Sequence, residues 1–166
     1  VMGAHPVKAS GFGGRSYRKA GDPNEVGHIW DHFAIELEYP GGVPVYSACT
    51  HIPGIKTDVS ETVYCTKGAK KLNGGGPVSP YVQEHIDLIQ SIKNGKPLNE
   101  LKAVTESTMT AILGRMACYS GQPLTWEQAL NANEDTMPTN LALAMENKIG
   151  PVPVPGKYKV SPRASQ

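Results

Sequence analysis

The sequence predicts an α+β protein, in which an antiparallel β-sheet carries helices on one of its faces. Alternating apolar and polar residues, the pattern of half-buried strands, dominate residues 6–72. Apolar residues at helical spacing, bounded by capping and stop signals, dominate residues 79–132. A glycine run and a proline at 74–77 separate the two parts. A sheet with one apolar face needs a cover, and two amphipathic helices can supply it.

The first part is expected to form an antiparallel meander. Its clearest strand has Phe33, Ile35 and Leu37 at alternate positions, which gives one apolar face. Pro40-Gly41-Gly42 has turn chemistry and leads into the next strand. If the turn lies at Gly41-Gly42, His32 and His51 fall opposite or nearly opposite each other, on the face of Glu36, Glu38 and Ser47. The predicted strands span residues 6–15, 29–39, 43–52, 58–66 and 69–72, with a loose loop at 21–27.

The second part begins with two helices. Ser79 can cap the first helix, Pro80 suits its first position, and Gly95 stops it. The second helix follows Asn99 and ends at Gly121.

A short third helix and an extended tail complete the prediction. Thr125-Trp126-Glu127-Gln128 fits a capping box at a helix start. The prolines of residues 151–156 exclude a helix and disfavour a central strand, so this segment is expected to be an extended arm lying on a surface. The predicted organisation is a domain over residues 1–133 and a proline-rich tail over residues 134–166.

Composition narrows the possible classes of function. The 166 residues carry a formal charge of +1 with a pI near 7.9, which offers no electrostatic basis for nucleic-acid binding. No apolar run is long enough to span a membrane, and no signal-peptide pattern is present. The chain begins with Val on an apolar stretch, so we expect a fragment or a processed product. The compartment, cytoplasmic or periplasmic, is left open.

Several short sequence motifs, taken together, resemble one enzyme family. They span residues 1–133 and are Gly3-Ala4-His5-Pro6-Val7, Gly13-Gly14-Arg15, His28-Ile29-Trp30-Asp31-His32-Phe33-Ala34, Tyr39-Pro40-Gly41-Gly42, Thr66-Lys67-Gly68, Glu84-His85, Asn94-Gly95-Lys96-Pro97, Glu106-Ser107-Thr108, Gly114-Arg115 and Thr125-Trp126-Glu127. Their order resembles the C-terminal domain of the Gfo/Idh/MocA oxidoreductases, the relatives of glucose–fructose oxidoreductase and inositol dehydrogenase.

The resemblance implies a two-domain parent enzyme. Its N-terminal Rossmann domain would bind NAD or NADP, and its C-terminal domain would shape the substrate pocket and form a homo-oligomer through an open sheet face. The implied reaction is hydride transfer at a carbinol or carbonyl of a sugar, inositol or glycoside. Proton transfer in the family is assisted by a Lys in a Glu-Lys-Pro motif and by a downstream His/Asp motif.

The sequence departs from this pattern at the catalytic motifs. Lys96-Pro97 follows Gly95 and not Glu, and residues 11–16 end in Ser where a dinucleotide fingerprint needs its third Gly. The family's His/Asp motif lies upstream of the segment that residues 1–7 resemble. We therefore expect no catalytic or cofactor-binding residue in this chain, and expect it to be inactive alone.

The candidate substrate-binding residues are Trp30, Asp31, His32, His51 and Arg15, and each has a structural alternative. The two histidines can bond sugar hydroxyls or neighbouring sheet groups. Asp31 can accept from a substrate hydroxyl or hold a strand edge. Trp30 can stack on a sugar ring or pack in a core or subunit interface. Arg15, with Arg18 and Lys19, can hold an anion or form a solvated surface cluster.

The sequence gives little support for a metal site or for a reactive cysteine. Two histidines are too few for a metal site. Cys49, Cys65 and Cys118 match no zinc or redox spacing, and small buried side chains are the expected reading. Two rivals to the oxidoreductase hypothesis stay open. One is a non-enzymatic assembly or sugar-binding module, and the other is a distinct α+β enzyme of shared topology.

Overall fold

The fold is described from a computed structural model that covers residues 2–17, 27–72, 76–134, 136–137, 142 and 150–163. Arg18, Lys19, residues 21–26 of the predicted loop and Gly74-Gly75 lie outside these residues. The described part contains six strands and three helices, which confirms the α+β class. The strands are β1 (Lys8–Gly14), β2 (His32–Tyr39), β3 (Val43–Thr50), β4 (Glu61–Cys65), β5 (Gly68–Leu72) and β6 (Leu124–Thr125), and the helices are α1 (Pro80–Lys93), α2 (Leu101–Ser120) and α3 (Trp126–Leu130).

The chain divides into two compact units. Unit 1 comprises Val1–Pro53 and Ala103–Gln166, and unit 2 comprises Gly54–Lys102. The division falls inside the stretch predicted as one domain, and the tail belongs to unit 1.

The sheet of unit 1 has the strand order β3-β2-β1-β6, and all of its pairs are antiparallel. The first three strands follow one another as predicted. The predicted five-strand meander is wrong beyond β3, because β4 and β5 pair with each other in a separate two-stranded sheet. Residues 51–60 contain no strand, so no tight hairpin links β3 to β4.

The turn between β2 and β3 sets a register that differs from the predicted one. Tyr39 pairs with Val43, so the loop has three residues and not two. Gly41 and Gly42 both have positive φ, and the Gly42 amide donates to the Tyr39 carbonyl at 3.1 Å. His32 therefore pairs with Thr50 and not with His51. The one-residue shift also places Ser47 opposite Ile35, on the face opposite to Glu36.

Helix α2 covers one face of this sheet with its C-terminal half. Leu113, Met116 and Ala117 are buried in one cluster with Ala9 and Leu37. This confirms that Leu37 belongs to the apolar face of β2.

Two glycines allow the helix and the sheet to approach closely. A Cβ at Gly11 would lie 2.5 Å from the Ala34 carbonyl oxygen and 2.7 Å from Cys118 Sγ. A Cβ at Gly114 would lie 2.8 Å from Ile35 Cδ1. At Gly11 the sheet has no side chain, which leaves room for Cys118 of α2, and at Gly114 the helix has none, which leaves room for Ile35 of β2.

The tail lies on its own unit. The Pro153 carbonyl accepts from the Trp30 indole at 3.1 Å, and the Gly156 amide donates to the Ser120 carbonyl at 3.1 Å. Tyr158 donates to Glu134 at 2.6 Å, and Arg115 bonds the same carboxylate at 2.8 Å. Residues 150–154 form neither helix nor strand, and these contacts place the tail at the end of α2 and the start of β2.

In unit 2, the helix signals predicted from the sequence are largely observed. Pro80 occupies the first turn of α1, and Gly95 follows its end with a φ of 62°. Ser79 stands at the N-cap, but its side chain makes no capping hydrogen bond. Ser91 is the one buried residue among those that the structure describes in this unit.

Candidate functional site

The candidate site is the open face of the unit 1 sheet, on the side opposite to α2. Strand alternation and register define its rows of side chains. From one end to the other, these rows are Lys8, Glu38 and Pro44; Ser10, Glu36 and Tyr46; Phe12, Ala34 and Ala48; and Gly14, His32 and Thr50.

Two aromatic side chains stand out on this open face. Phe12 and Tyr46 are each 75% exposed. Between them the small Ala34 and Ala48 leave a shallow groove of about 440 Å³, which Glu36 also lines. An aromatic face beside a carboxylate suits a ligand with apolar C–H surfaces and hydroxyl groups, because the rings pack on C–H and the carboxylate accepts hydrogen bonds.

An ion pair lies at one end of the open face. Lys8 Nζ lies 2.7 Å from Glu38 Oε2. This hydrogen bond raises the pKa of the Lys8 ammonium, and the charges of Glu38 and Glu36 act in the same direction. Glu38 is thus paired, which leaves Glu36 as the carboxylate at the groove itself.

The opposite end contains Asp31 and His32. Asp31 is buried, and its carboxylate accepts from the amides of Ser16 at 2.9 Å and Tyr17 at 2.9 Å. His32 Nδ1 lies 2.8 Å from Asp31 Oδ1. The carboxylate of Asp31 therefore binds the residues that follow β1 and holds them at the start of β2. It also contacts the His32 imidazole.

The structure favours the packing alternative for Trp30. The indole is buried and packs against Phe33 and Tyr119, with centroid distances of 5.7 Å and 4.9 Å. Its N–H donates to the Pro153 carbonyl of the tail, and because the ring is buried it has no open face for stacking on a sugar.

Arg15 and His51 lie at the same end of the sheet, but with different surroundings. The Arg15 guanidinium donates to the Gly27 carbonyl at 3.1 Å. His51 is exposed and follows β3 directly, and its amide donates to the Asp31 carbonyl at 2.7 Å. The five candidate positions therefore meet around Asp31. Among them, a side-chain hydrogen bond joins Asp31 and His32.

Phe12, Tyr46 and Glu36 were missed as site residues. Phe12 is the one large apolar residue of β1, and it lies out of phase with the buried Ala9. That phase difference was a usable sign that its ring faces away from the core. The face on which Tyr46 lies could be assigned only from the register of β2 and β3, because a shift by one residue would turn it toward the face of the sheet that α2 covers.

The donor groups and the strand pairing of the described residues bear on metal and dinucleotide binding. In the part of the chain that the structure describes, no three His, Cys, Asp or Glu side chains form a group able to hold a metal ion. The described strands pair only in antiparallel fashion, whereas a dinucleotide fold is built on parallel βαβ units. The strand pairing of the described residues therefore differs from that of a dinucleotide-binding fold.

The buried thiol of Cys118 is a packing residue. Burial raises its pKa to about 11, with a smaller contribution from Cys49. A thiol that stays protonated at neutral pH is a poor nucleophile. Cys49 and Cys65 are exposed, so the prediction of buried cysteines is wrong for these two and holds for Cys118.

Comparisons with known proteins add no assignment. No family model matches this chain, and neither a curated protein nor a solved structure matches it. Among the described helices, none combines the length and the apolar character that crossing a membrane requires.

Proposed function

We propose that this chain is the substrate-binding and oligomerisation part of an NAD(P)-dependent oxidoreductase of the Gfo/Idh/MocA type, acting on a sugar, inositol or glycoside. The observation that carries the proposal is the open sheet face, where Phe12 and Tyr46 flank a groove beside Glu36. A helix-backed antiparallel sheet with one free face is the architecture that the resemblance implies. The dinucleotide and the hydride transfer would belong to a Rossmann domain outside this chain.

The chain's own contribution would be to bind and orient the substrate. Phe12 and Tyr46 offer ring faces to the C–H surface of a pyranose or inositol. Glu36 accepts hydrogen bonds from hydroxyls, and the adjacent Lys8–Glu38 ion pair keeps that end of the face polar. Trp30 supports the site from behind, as part of the core.

Saturation-transfer NMR tests this proposal directly on the chain. With myo-inositol and D-glucose as probes, we expect transfer from the protein to the ring protons of at least one probe. Phe12→Ala and Tyr46→Ala should each reduce this transfer. Tyr64→Ala is the matched control, because Tyr64 is also an exposed strand aromatic but lies on β4 in unit 2. Equal transfer in all variants, or no transfer to either probe, would contradict the assignment.

The second candidate is a non-enzymatic assembly module, and one observation favours it. The same exposed aromatic pair also suits burial against a second copy of the sheet. Sedimentation velocity on the wild type and on Tyr46→Glu separates the roles. If the variant dissociates an oligomer while probe binding is absent from the wild type, the module is favoured. A dinucleotide-binding half encoded upstream in the same reading frame favours the enzyme.

A further inference from the structure

One carboxylate of unit 1, that of Asp31, is completely buried. The Asp31 side chain is 0% exposed, and burial of a charge is costly unless hydrogen bonds compensate for it. Two backbone amides, those of Ser16 and Tyr17, supply such bonds. These amide bonds hold the residues after β1 to the start of β2, and the same carboxylate also lies beside the imidazole of His32.

The carboxylate contact determines which imidazole nitrogen carries the proton. An ionised carboxylate only accepts hydrogen bonds, so at 2.8 Å the neutral ring places its hydrogen on Nδ1. Nε2 is then a hydrogen-bond acceptor. The His32 side chain is 36% exposed, and no described residue forms a hydrogen bond with its Nε2.

The position of this acceptor relates it to the groove. His32 shares its row with Gly14 and Thr50, so the neighbouring position on β1 has no side chain to cover the ring. Ala34, which lines the groove, lies on the same face two residues along β2, about 7 Å away. A six-membered polyol that rests in the groove can span that distance and place one of its hydroxyls near His32.

We propose that Asp31 is a positioning residue that fixes the Nδ1–H tautomer of His32, so that Nε2 accepts a hydrogen bond from a hydroxyl of a polyol lying on the open face. This assignment rests on the proposed function, because it specifies how one end of the same site recognises its ligand. It gives Asp31 a role behind the site and His32 the contact with the ligand.

Long-range ¹H–¹⁵N NMR of the histidine side chains tests the assignment in the wild-type chain. Spectra are recorded at about pH 8.5, where an ordinary imidazole is neutral, and His32 is identified by the signals lost in His32→Gln. We expect the Nδ1–H tautomer without ligand. On titration with myo-inositol or D-glucose, the His32 Nε2 shift should move more than the Nδ1 shift.

Two variants give the expected changes. Asp31→Asn replaces a carboxylate, which only accepts hydrogen bonds, with an amide, which can also donate. The Nε2–H tautomer of His32 should therefore gain population. The affinity for the polyol should fall about fivefold. His32→Gln should weaken binding to a similar degree while leaving the loop contacts of Asp31 in place. A purely structural role of Asp31 would not move the tautomer signal.

The outcomes separate this inference from the function it rests on. If polyol shifts amides around Phe12 and Tyr46 but leaves His32 Nε2 unchanged, the inference fails and the proposed function stands. An Nε2–H tautomer of His32 in the wild type also overturns the inference, and that result does not depend on the folding of Asp31→Asn. If neither polyol shifts any signal of the chain, both fail together.

Discussion

The two units of this chain use apolar residues in opposite ways. Unit 1 buries Leu113, Met116 and Ala117 between a helix and a sheet. Unit 2 has Tyr64, Tyr81 and Ile92 strongly exposed, and Ser91 is its one buried residue among those described. Both units contain amphipathic segments. The difference shows that an apolar stripe becomes a core only when a second layer faces it.

Size explains why unit 2 lacks a core of its own. A two-stranded sheet is marginal in water, and one helix adds little area to bury. Unit 1 has a four-stranded sheet, a 20-residue helix and a docked tail. We therefore expect most of the free energy of unfolding to come from unit 1.

The largest effect is expected from Leu113→Ala. Leu113 is fully buried in the unit 1 cluster, so its truncation removes apolar contacts and leaves a cavity. The free energy of unfolding should fall by about 2–5 kcal/mol, measured by urea denaturation. The matched control is Leu88→Ala in α1, where the side chain is half exposed and the expected loss is under about 0.5 kcal/mol. Equal losses in the two variants would refute the assignment of stability to unit 1.

A smaller effect is expected from Gly11→Ala. The added Cβ meets the Ala34 carbonyl and Cys118 Sγ, so helix and strand must separate. We expect a loss of about 1–3 kcal/mol in the same assay. Gly14→Ala in the same strand is the control, because its Cβ would meet only His32 ring atoms at 3.5 Å or more. If Gly14→Ala proves the more costly change, α2 does not approach the sheet through Gly11.

The smallest effect concerns the tail. Tyr158→Phe removes the hydroxyl that donates to Glu134 and should cost about 1–2 kcal/mol. Tyr64→Phe, on exposed β4, should cost almost nothing. The proposed contribution of the tail is contradicted if the two variants unfold at the same urea concentration.

The same tail contact predicts a dependence of stability on pH. Burial and the hydrogen bond to Glu134 raise the pKa of the Tyr158 phenol in the folded state. The unfolded phenol ionises near pH 10, so the stabilisation is complete below that pH and is lost as pH rises above it. Tyr158→Phe should therefore reduce the loss of stability between about pH 10 and pH 11.

Local signals predicted much of the fold because they act over a few residues. The Thr125 capping box is present, with the Gln128 amide donating to Thr125 Oγ1 at 3.2 Å and the Thr125 amide donating to Gln128 Oε1 at 2.9 Å. Alternation in β2 also identified the covered face correctly. Both patterns depend only on the period of the local backbone.

The candidate site was predicted less well, because it depends on pairing between strands. His51 was expected opposite or nearly opposite His32, but the loop of residues 40–42 has three residues, and Thr50 is therefore the residue that pairs with His32. The same register also brought Tyr46 onto the open face. Trp30 was open to both sugar stacking and packing, and its ring packs on Phe33, on Tyr119 of α2 and on the tail, more than 120 residues further along the chain.

The sequence alone specified the α+β class, the segments of β1, β2 and β3, the two helices of unit 1, and the Gly121 stop and Thr125 cap of those helices, but not the short strand β6. These follow from periodicity and from the conformations that Gly and Pro prefer. Long-range packing decided the strand register, the separation of β4 and β5 from the main sheet, the burial of Asp31 and the groove between Phe12 and Tyr46. Contacts between distant residues set these features, and a pattern read along the chain does not record which distant residues meet.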